Sequence, residues 1–473
     1  MASSDRPVAA VIVLAAGSGT RMKSTTSKLL HTVAGRPMLS WAIDAATGLD
    51  PERLVVVVGQ HRDQVESALN ELAPQAIRAV QANPAGTGDA VRVGLAALGP
   101  VHGEVVVTYS DVPLLTAQTL RRLVGTHRDD ANGVTLMTAV VANPAGYGRI
   151  IRRDGQIVAI REQRDASQAE RDITEINAGT YVFDADLLAD ALSHLTSDND
   201  QNELLLTDVV AYARGRDHRV GAYVEPDTWQ TEGVNDRVQL AAVSAEMNRR
   251  IVVAHMLAGV TVVDPATTWI EQGVAIEPDV VLWPGTILRG ATSIATGAVI
   301  GPDTRLTDVE VGPGASVVRT EATLSVIGAN ATVGPFSYLR PGTQLGEAGK
   351  IGAFVETKNA QIGQGSKVPH LTYCGDADIG QGVNIGAGTI FANYDGVRKQ
   401  RSTVGDGAFV GSDSVLVAPV EIGQGAFVAG GSVITGDVEP GALAVARGRQ
   451  RNIAGWVELK HQRDAQGAVS SQE

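Results

Sequence analysis

One cysteine, Cys374, stands in the 473 residues, so no disulfide can form within the chain, and a reducing compartment suits it. Without a partner it reads as a small buried hydrophobe. Aromatic residues are scarce at 4%, which argues against thick aromatic cores, while 53 glycines favour tight turns and close backbone approach. No run reaches the ~18 apolar residues that a membrane-spanning helix needs. The first apolar stretch, Val8–Ala16, follows a single arginine and leads into Gly-Ser-Gly-Thr-Arg where a secretion signal would carry a small-residue cleavage site, so it reads as a strand. Positive charge is also in deficit. With 39 Lys and Arg against 52 Asp and Glu, the net charge of −13 excludes broad attraction to nucleic acid or to an anionic membrane surface. The expected location is cytoplasmic.

What is present divides into two textures, consistent with a chain too long for one ordinary core. Up to about residue 233, Val-rich segments alternate with amphipathic Ala/Leu-rich ones, and Val8–Ala15, Leu54–Val58, Val105–Thr108 and Val134–Val141 are the clearest strands. Near-continuous apolar strands between helices predict an α/β unit with a mainly parallel sheet covered on both faces. From Asn235 to Leu257 the period becomes helical, with Leu240, Val243, Met247, Ile251 and Ala254 on one face and Glu246, Asn248, Arg249 and Arg250 largely away from it. Gly259 closes this connecting helix. The expected boundaries are 1–234 for the head, 235–258 for the helix, 259–440 for a second domain, and 441–473 for a tail that is small, polar, without periodicity and disordered from Asp464 onward.

In the second domain an aliphatic residue recurs every six positions. One run is Ile276, Leu282, Leu288, Ile294, Ile300, Leu306; a second is Ile327, Val333, Leu339, Leu345, Ile351; a third is Val404, Val410, Leu416, Ile422, Val428, Ile434. Many are followed at once by glycine. A six-residue period is the hexapeptide signature of a parallel β-helix, in which each hexad supplies a short strand, a turn and one inward aliphatic residue. Three hexads make a triangular turn of 18 residues, so the repeat predicts about ten turns stacked at ~4.8 Å. From Ile385 to Val404 the interval is 19 residues, one more than a whole turn, and the polar segment Asn393–Ser402 is expected to bulge out as a loop.

Directly after the first strand comes Leu14-Ala15-Ala16-Gly17-Ser18-Gly19-Thr20-Arg21-Met22, then Lys28. Its glycines let backbone N–H groups approach a polyphosphate, and Arg21 and Lys28 supply positive charge. The string lacks the third glycine of a dinucleotide fingerprint and the Gly-Lys-Ser/Thr end of a P-loop. It resembles the nucleotide loop of enzymes that join an NTP to a sugar 1-phosphate. Further pieces of that family follow in order: Gln81, Gly86-Thr87-Gly88, Tyr109-Ser110-Asp111-Val112-Pro113-Leu114, Gly146-Tyr147-Gly148-Arg149-Ile150, Glu162, Asn177-Ala178-Gly179 and Glu232-Gly233-Val234-Asn235.

The resemblance implies a UTP site that includes Leu14, Gly17, Arg21, Lys28, Tyr109 and Ser110. It places the uracil and ribose against Ala15, Ala16, Gln81, Gly86 and Thr87, the N-acetylglucosamine against Gly148, Glu162 and Asn177, and Mg²⁺ on Asp111 and Asn235. Asp111 ends an apolar strand, where ligands bind in open α/β sheets, and a hard oxygen there suits Mg²⁺. A helix N-cap is the bland alternative for both residues. Ser110 departs from the family, in which glycine is usual, and its hydroxymethyl could crowd the base pocket.

Within the repeat, a separate constellation interrupts the aliphatic pattern: Arg340-Pro341-Gly342, Val355-Glu356-Thr357-Lys358, Pro369-His370-Leu371-Thr372-Tyr373, Asn384-Ile385-Gly386-Ala387-Gly388, Asn393-Tyr394-Asp395-Gly396 and Gly411-Ser412-Asp413-Ser414. With the head, it resembles the family of bifunctional N-acetylglucosamine-1-phosphate uridylyltransferases and glucosamine-1-phosphate acetyltransferases over about residues 8–456. The resemblance implies a left-handed coil that assembles as a homotrimer and uses acetyl-CoA. His370 would be the general base, since an amine must lose a proton as it attacks a thioester. Arg340 and Lys358 would clamp the sugar phosphate. Tyr373, Asn384 and Asn393 would orient the sugar, and Ala387, Asn393, Tyr394, Ser412, Gly430 and Arg447 would meet acetyl-CoA. His370 is the only histidine between residues 260 and 440, which excludes a three-histidine metal coil. Rival readings are a single-function nucleotidyltransferase with a scaffolding coil, and a non-enzymatic regulatory subunit of similar plan.

Overall fold

The computed structural model describes residues 6–200 and 202–469. The chain forms two compact units, one running to Ala254 and including Ile270–Gln272, the other comprising His255–Trp269 and the chain from Gly273 onward. No described helix is long and apolar enough to cross a membrane.

The first unit is built on a nine-stranded sheet. Its strands are β1 (Ala10–Ala15), β2 (Leu54–Val58), β3 (Ile77–Val80), β4 (Glu104–Tyr109), β5 (Val134–Val140), β6 (Arg149–Arg153), β7 (Gln156–Arg161), β8 (Glu175–Asp184) and β9 (Val220–Val224). They lie in the order β9-β5-β8-β4-β1-β2-β3, with the β6-β7 hairpin joined to β8. The block β4-β1-β2-β3 is parallel, as expected. β8 runs antiparallel to both β4 and β5, a feature invisible in its sequence because apolar periodicity reports burial and carries no information on direction. Along β1, Ala10, Ile12 and Leu14 enter one core layer while Val11, Val13 and Ala15 enter the other. That alternation is why a wholly apolar strand is stable here: both faces are covered, and each fully buried aliphatic side chain contributes about 1.5–3 kcal/mol.

His127, on the helix Ala117–Asp129, is buried with Nδ1 3.0 Å from Thr135 Oγ1. Burial, with help from Arg128 and against the pull of Glu104, lowers its pKa to about 4. Below ~6.5 an unfolded histidine takes up a proton that the folded one refuses until about pH 4, so stability falls as pH drops through that window. His127→Asn is therefore expected to show a flatter loss of urea midpoint between those pH values than the unaltered protein. Parallel curves for the two proteins would refute the assignment.

The connecting helix spans Arg237–Leu257, and Asp236 caps it by accepting from the N–H groups of Val238 and Gln239 at 2.9 Å. Val243, Met247 and Ile251 are buried as expected, but Ala254 is exposed and Glu246 and Asn248 are buried. Glu246 is tolerated inside because Arg249 and Arg250 donate to both of its oxygens at 2.7–2.8 Å, and these bonds hold its carboxyl below the ordinary range against the opposing effect of burial.

The second unit is a stack of short parallel strands. One face alone carries eleven, from Thr261–Val262 to Leu443–Ala444. The aliphatic residues of the three hexad runs are buried, with only Ile276 partly exposed. The glycine that follows many of them has a steric cause: a Cβ on Gly328 would stand 2.7 Å from the carbonyl carbon of Gly346 in the next turn. On Gly352 it would meet the carbonyl oxygen of Pro369, the residue before His370. Cys374 is fully buried, and burial pushes its thiol up to about 12, which keeps it unreactive.

Two details differ from the expected regular coil. Turn length varies, since partners Val317↔Val333 are 16 residues apart, Ile300↔Val317 are 17 and Val333↔Ile351 are 18. Turns short by one or two residues shift the frame, which is why the first hexad run breaks after Leu306, whereas the second ends after Ile351 because the next inward position, in register with Leu339, is held by the buried Thr357. In addition, Ile385 and Val404 lie on different faces. The true partners are Ile379↔Val404 and Ile385↔Val410, each 25 residues apart, so the insertion exceeds an 18-residue turn by seven and not by one. The loop emerges where expected, between Ile390–Ala392 and Ser402–Val404, with Tyr394 bridged to Lys399.

The tail requires a correction. A helix covers Trp456–Val469, where no element was expected. Good helix formers such as Glu458, Leu459, Lys460 and Gln462 supply local propensity that needs no apolar period, and the described side chains of this helix are exposed. Residues 470–473 lie outside the described part of the chain.

Candidate active sites

At the carboxyl ends of β1 and β4 a cleft of about 630 Å³ opens. It is lined by Leu14, Ala16, Gly17, Lys28, Gln81, Gly86, Thr87, Tyr109, Ser110 and Asp111, which come from five separate stretches of the chain. Ala15 is the exception among its neighbours, for strand alternation turns it into the opposite core layer. Gly86 holds φ +108°, and a Cβ there would lie 2.4 Å from the Leu204 carbonyl oxygen. Thr87 Oγ1 accepts from Leu206 N at 3.0 Å, so the turn and the 204–206 segment wall one side together. Gln81 donates to Gly86 O at 3.1 Å and to Asp89 Oδ2 at 2.8 Å, which fixes the plane of its amide. The Ser110 hydroxyl does not protrude into the cleft; it donates to Leu14 O at 2.6 Å, back onto β1. Ser18 of the Gly-rich string also lines the cleft, as do Gln60 and Glu203, which had no signal in the sequence.

The charged end of the cleft is tightly paired. Lys28 Nζ lies 2.6 Å from Asp111 Oδ2 and 3.3 Å from Asn235 Oδ1, while Arg21 Nη2 donates to Asn235 Oδ1 at 2.9 Å. Neither Asp111 nor Asn235 is a helix cap: Thr116 and Asp236 hold those positions. Val234 N donates to Asp111 O at 2.9 Å, tying the two oxygen-bearing loops together. Tyr147 donates to Glu232 at 3.0 Å, and burial raises its phenol well above the ordinary range, with Glu232 and Asp111 adding to the shift.

Gly148, Glu162 and Asn177 form a neighbouring group. A Cβ on Gly148 would stand 3.5 Å from Glu162 Oε1 and 3.6 Å from Asn177 Cβ, and Asn177 N donates to Gly148 O at 2.8 Å. Burial raises the Glu162 carboxyl, partly offset by the Thr207 hydroxyl that donates to it at 3.3 Å. Tyr109 links the two groups, since its phenol is raised by burial and then by the charges of Asp111 and Glu162.

On the coil, Arg340 donates to Glu356 at 2.9 Å, and the like charge of the neighbouring Lys399 lowers the Lys358 pKa, with burial and Arg340 adding to the shift. Arg340 is thus paired with Glu356, while Lys358 and Lys399 face the carboxylate of Asp376. Lys399 was missed in the sequence because it lies on the inserted loop, outside the hexad frame. Tyr373 Oη is 3.4 Å from Asn393 Nδ2, and the buried Asn393 side chain also donates to Asp376. His370 is exposed at the end of strand Lys367–His370, and Gly388 N donates to its carbonyl, so Ala387 and Gly388 lie one rung above it. Asn384 pairs with Lys367 across the same two strands.

Higher on the coil, Asp413 N donates to Ala387 O and Gly431 N to Ser412 O, and Arg447 Nη1 donates to Gly430 O at 2.8 Å. Ala387, Ser412, Gly430 and Arg447 thus follow one another along the stack. The exposed Tyr394 donates within its own loop, to Gly396 O at 2.6 Å.

Comparison with known proteins adds to this geometry. Residues 11–206 match the MobA-like NTP transferase domain, and residues 401–436 match the bacterial transferase hexapeptide (six repeats). The chain is 54% identical over 456 residues to the bifunctional protein GlmU of Corynebacterium aurimucosum, an alignment covering 95% of this chain and 94% of that one. It is 56% identical over 458 residues to the protein of that name from Mycolicibacterium gilvum, covering 96% and 92%. For the one from Cutibacterium acnes the identity is 58% over 359 residues, covering 74% and 86%.

Proposed function

The chain belongs to the bifunctional GlmU family, and from that premise we propose how its residues divide two consecutive reactions of UDP-N-acetylglucosamine synthesis. The coil acetylates glucosamine 1-phosphate with acetyl-CoA. The head joins N-acetylglucosamine 1-phosphate to UTP and releases pyrophosphate. The single observation that carries the reading is that one chain holds both a cleft at the β1/β4 strand ends with Lys28, Arg21, Asp111 and Asn235 interlocked, and a hexad coil that carries neighbouring Lys358 and Lys399 and an exposed His370.

In the head, the turn around Gly86 and the fixed amide of Gln81 face the uracil and ribose, and Gly148, Glu162 and Asn177 receive the acetamido sugar. Asp111 and Asn235 converge on one ammonium group, which supports their fitness for a divalent cation. Asp111 and Asn235 would hold Mg²⁺ through hard oxygen donors. When bound there, Mg²⁺ supplies charge neutralisation for the triphosphate. Lys28 and Arg21 pair with phosphate oxygens, and a sugar-phosphate oxygen attacks the α-phosphorus in line. Such chemistry depends on positioning and charge.

On the coil, Arg340, Lys358 and Lys399 hold the sugar phosphate, Tyr373 and Asn384 orient the sugar, and His370 takes the proton from the attacking amine. The backbone of Ala387 and the stack of Ser412, Gly430 and Arg447 accept acetyl-CoA, with Tyr394 at its edge. Asn393 acts through its backbone, its side chain being engaged already. A homotrimer fits the exposed corner that carries Phe336, Phe354 and Leu371, the first two stacked with centroids 5.3 Å apart. Neighbouring chains then complete the acetyltransferase site, and the tail with Arg447, Arg449 and Trp456 reaches a neighbour. The enzyme works in the cytoplasm.

Two assays on one sample test the reading: thiol release from acetyl-CoA with glucosamine 1-phosphate, and pyrophosphate release from UTP with N-acetylglucosamine 1-phosphate and Mg²⁺. Both activities are expected; a sample active only in the second would reduce the coil to a scaffold.

A further inference from the structure

Asn359, Asp376 and Asn393 climb one corner of the coil at 17-residue intervals. The Asp376 carboxylate accepts from Asn359 Nδ2 at 2.7 Å below it and from Asn393 Nδ2 at 2.5 Å above. Asn359 and Asp376 both adopt the left-handed region, with φ of 45° and 47°, a conformation that short polar residues tolerate best after glycine. The ladder stops at Asn393 because the inserted loop departs there. The loop returns to the same point, where Gln400 N donates to Asn393 O at 2.8 Å.

Asp376 also carries the negative charge that faces Lys358 and Lys399. Burial favours its neutral form, but the two amide bonds and the two ammonium groups outweigh burial and keep the carboxyl below its ordinary range. One carboxylate therefore joins the wall of the coil, the base of the inserted loop and the cation pair of the phosphate site.

We propose that Asp376 is a positioning residue for acetyl transfer, pinning Asn393 and the base of the loop while setting the spacing of the Lys358 and Lys399 ammonium groups. The inference rests on the reading of the coil as a glucosamine-1-phosphate acetyltransferase. Asp376 itself touches no reacting group; it acts through Asn393 and the two lysines.

Removing its charge has opposite consequences for the two kinetic parameters. Loss of the Asn393 anchor disorders the backbone beside the reacting amine, which lowers kcat. Loss of the counter-charge leaves the lysines more positive toward phosphate, so sugar-phosphate binding does not weaken. Asp376→Asn is thus expected to lower kcat of acetyl transfer about tenfold, with KM for glucosamine 1-phosphate unchanged or reduced. Uridylyl transfer by the same sample should stay at the wild-type rate and reports that the chain is folded.

An unchanged kcat would overturn the proposal. So would a kcat loss accompanied by a rise in KM for both co-substrates and a lower melting temperature, the pattern of general damage to the coil. If Asp376→Asn does not fold, Asn359→Ala decides, because it removes one donor and keeps the charge: kcat should fall about threefold at constant KM, and an unaltered kcat would refute the ladder. An unaltered protein that fails to acetylate glucosamine 1-phosphate would sink the functional reading itself, whereas an active one indifferent to Asp376 sinks only this inference.

Discussion

His370→Ala is expected to lower acetyl transfer to glucosamine 1-phosphate by about 10²–10⁴-fold while uridylyl transfer continues at the wild-type rate. The reacting amine must shed a proton as its nitrogen bonds to the thioester carbon, and without a base the nitrogen carries positive charge at the moment the thiolate leaves. His370 is placed for that task by the stack itself: it is exposed at the end of its strand, and Gly388 N holds its carbonyl, so the Ala387–Gly388 backbone lies one rung away. Neither the phosphate clamp nor the acetyl-CoA residues depend on the imidazole, so KM for both substrates should change little. Partial rescue by added imidazole would separate lost proton transfer from lost packing. A variant that retains the wild-type rate would remove His370 from the mechanism.

Asp111→Asn should have an effect of similar size on the other reaction. The substitution keeps shape and removes one charge, which abolishes the 2.6 Å ion pair with Lys28 and leaves a nearly buried ammonium facing an amide. A neutral oxygen also binds a divalent cation far more weakly than a carboxylate does. Mg²⁺-dependent pyrophosphate release is therefore expected to fall by about 10²-fold or more, with acetyl transfer unaltered. Direct titration with Mn²⁺ in the presence of UTP, followed by its electron spin resonance signal, should show weakened binding in the variant. Equal binding and equal rate would place the cation elsewhere.

Some of this arrangement was legible in the sequence, and the remainder was hidden for identifiable reasons. The hexad runs announced the coil because one inward aliphatic residue per strand leaves a period that survives in the chain, and nearly all of those residues are buried. The strands β1, β2, β4 and β5 were visible for a similar reason, since sheets covered on both faces demand continuous apolar runs. The antiparallel course of β8 was not, because strand direction leaves no mark on composition. Turns of 16 and 17 residues and a seven-residue insertion were missed by counting in a fixed frame of 18. Glu246 was placed outside by its charge, although two arginines one helical turn away make its burial affordable.

In the sites, Gly17, Lys28 and Asp111 stood out in the sequence by residue type, and the structure brings them to one cleft, while His370 stood out as the lone histidine of the coil and is exposed. The partnership of Lys28 with Asp111 joins positions 83 residues apart and needed coordinates. Ser110, whose side chain the sequence left free to crowd the cleft, turns its hydroxyl to the Leu14 carbonyl, a choice open only because β1 and β4 are neighbours. The Asn359, Asp376 and Asn393 ladder was present in the spacing, but a 17-residue interval stands out only once the true turn length is known.

The central claim is that one chain carries out both steps in sequence. The most direct measurement supplies the unaltered protein with glucosamine 1-phosphate, acetyl-CoA, UTP and Mg²⁺ together and identifies the nucleotide product by mass. UDP-N-acetylglucosamine formed with equal release of thiol and pyrophosphate is the predicted result. Pyrophosphate without thiol, or no acetylated nucleotide sugar at all, would contradict it.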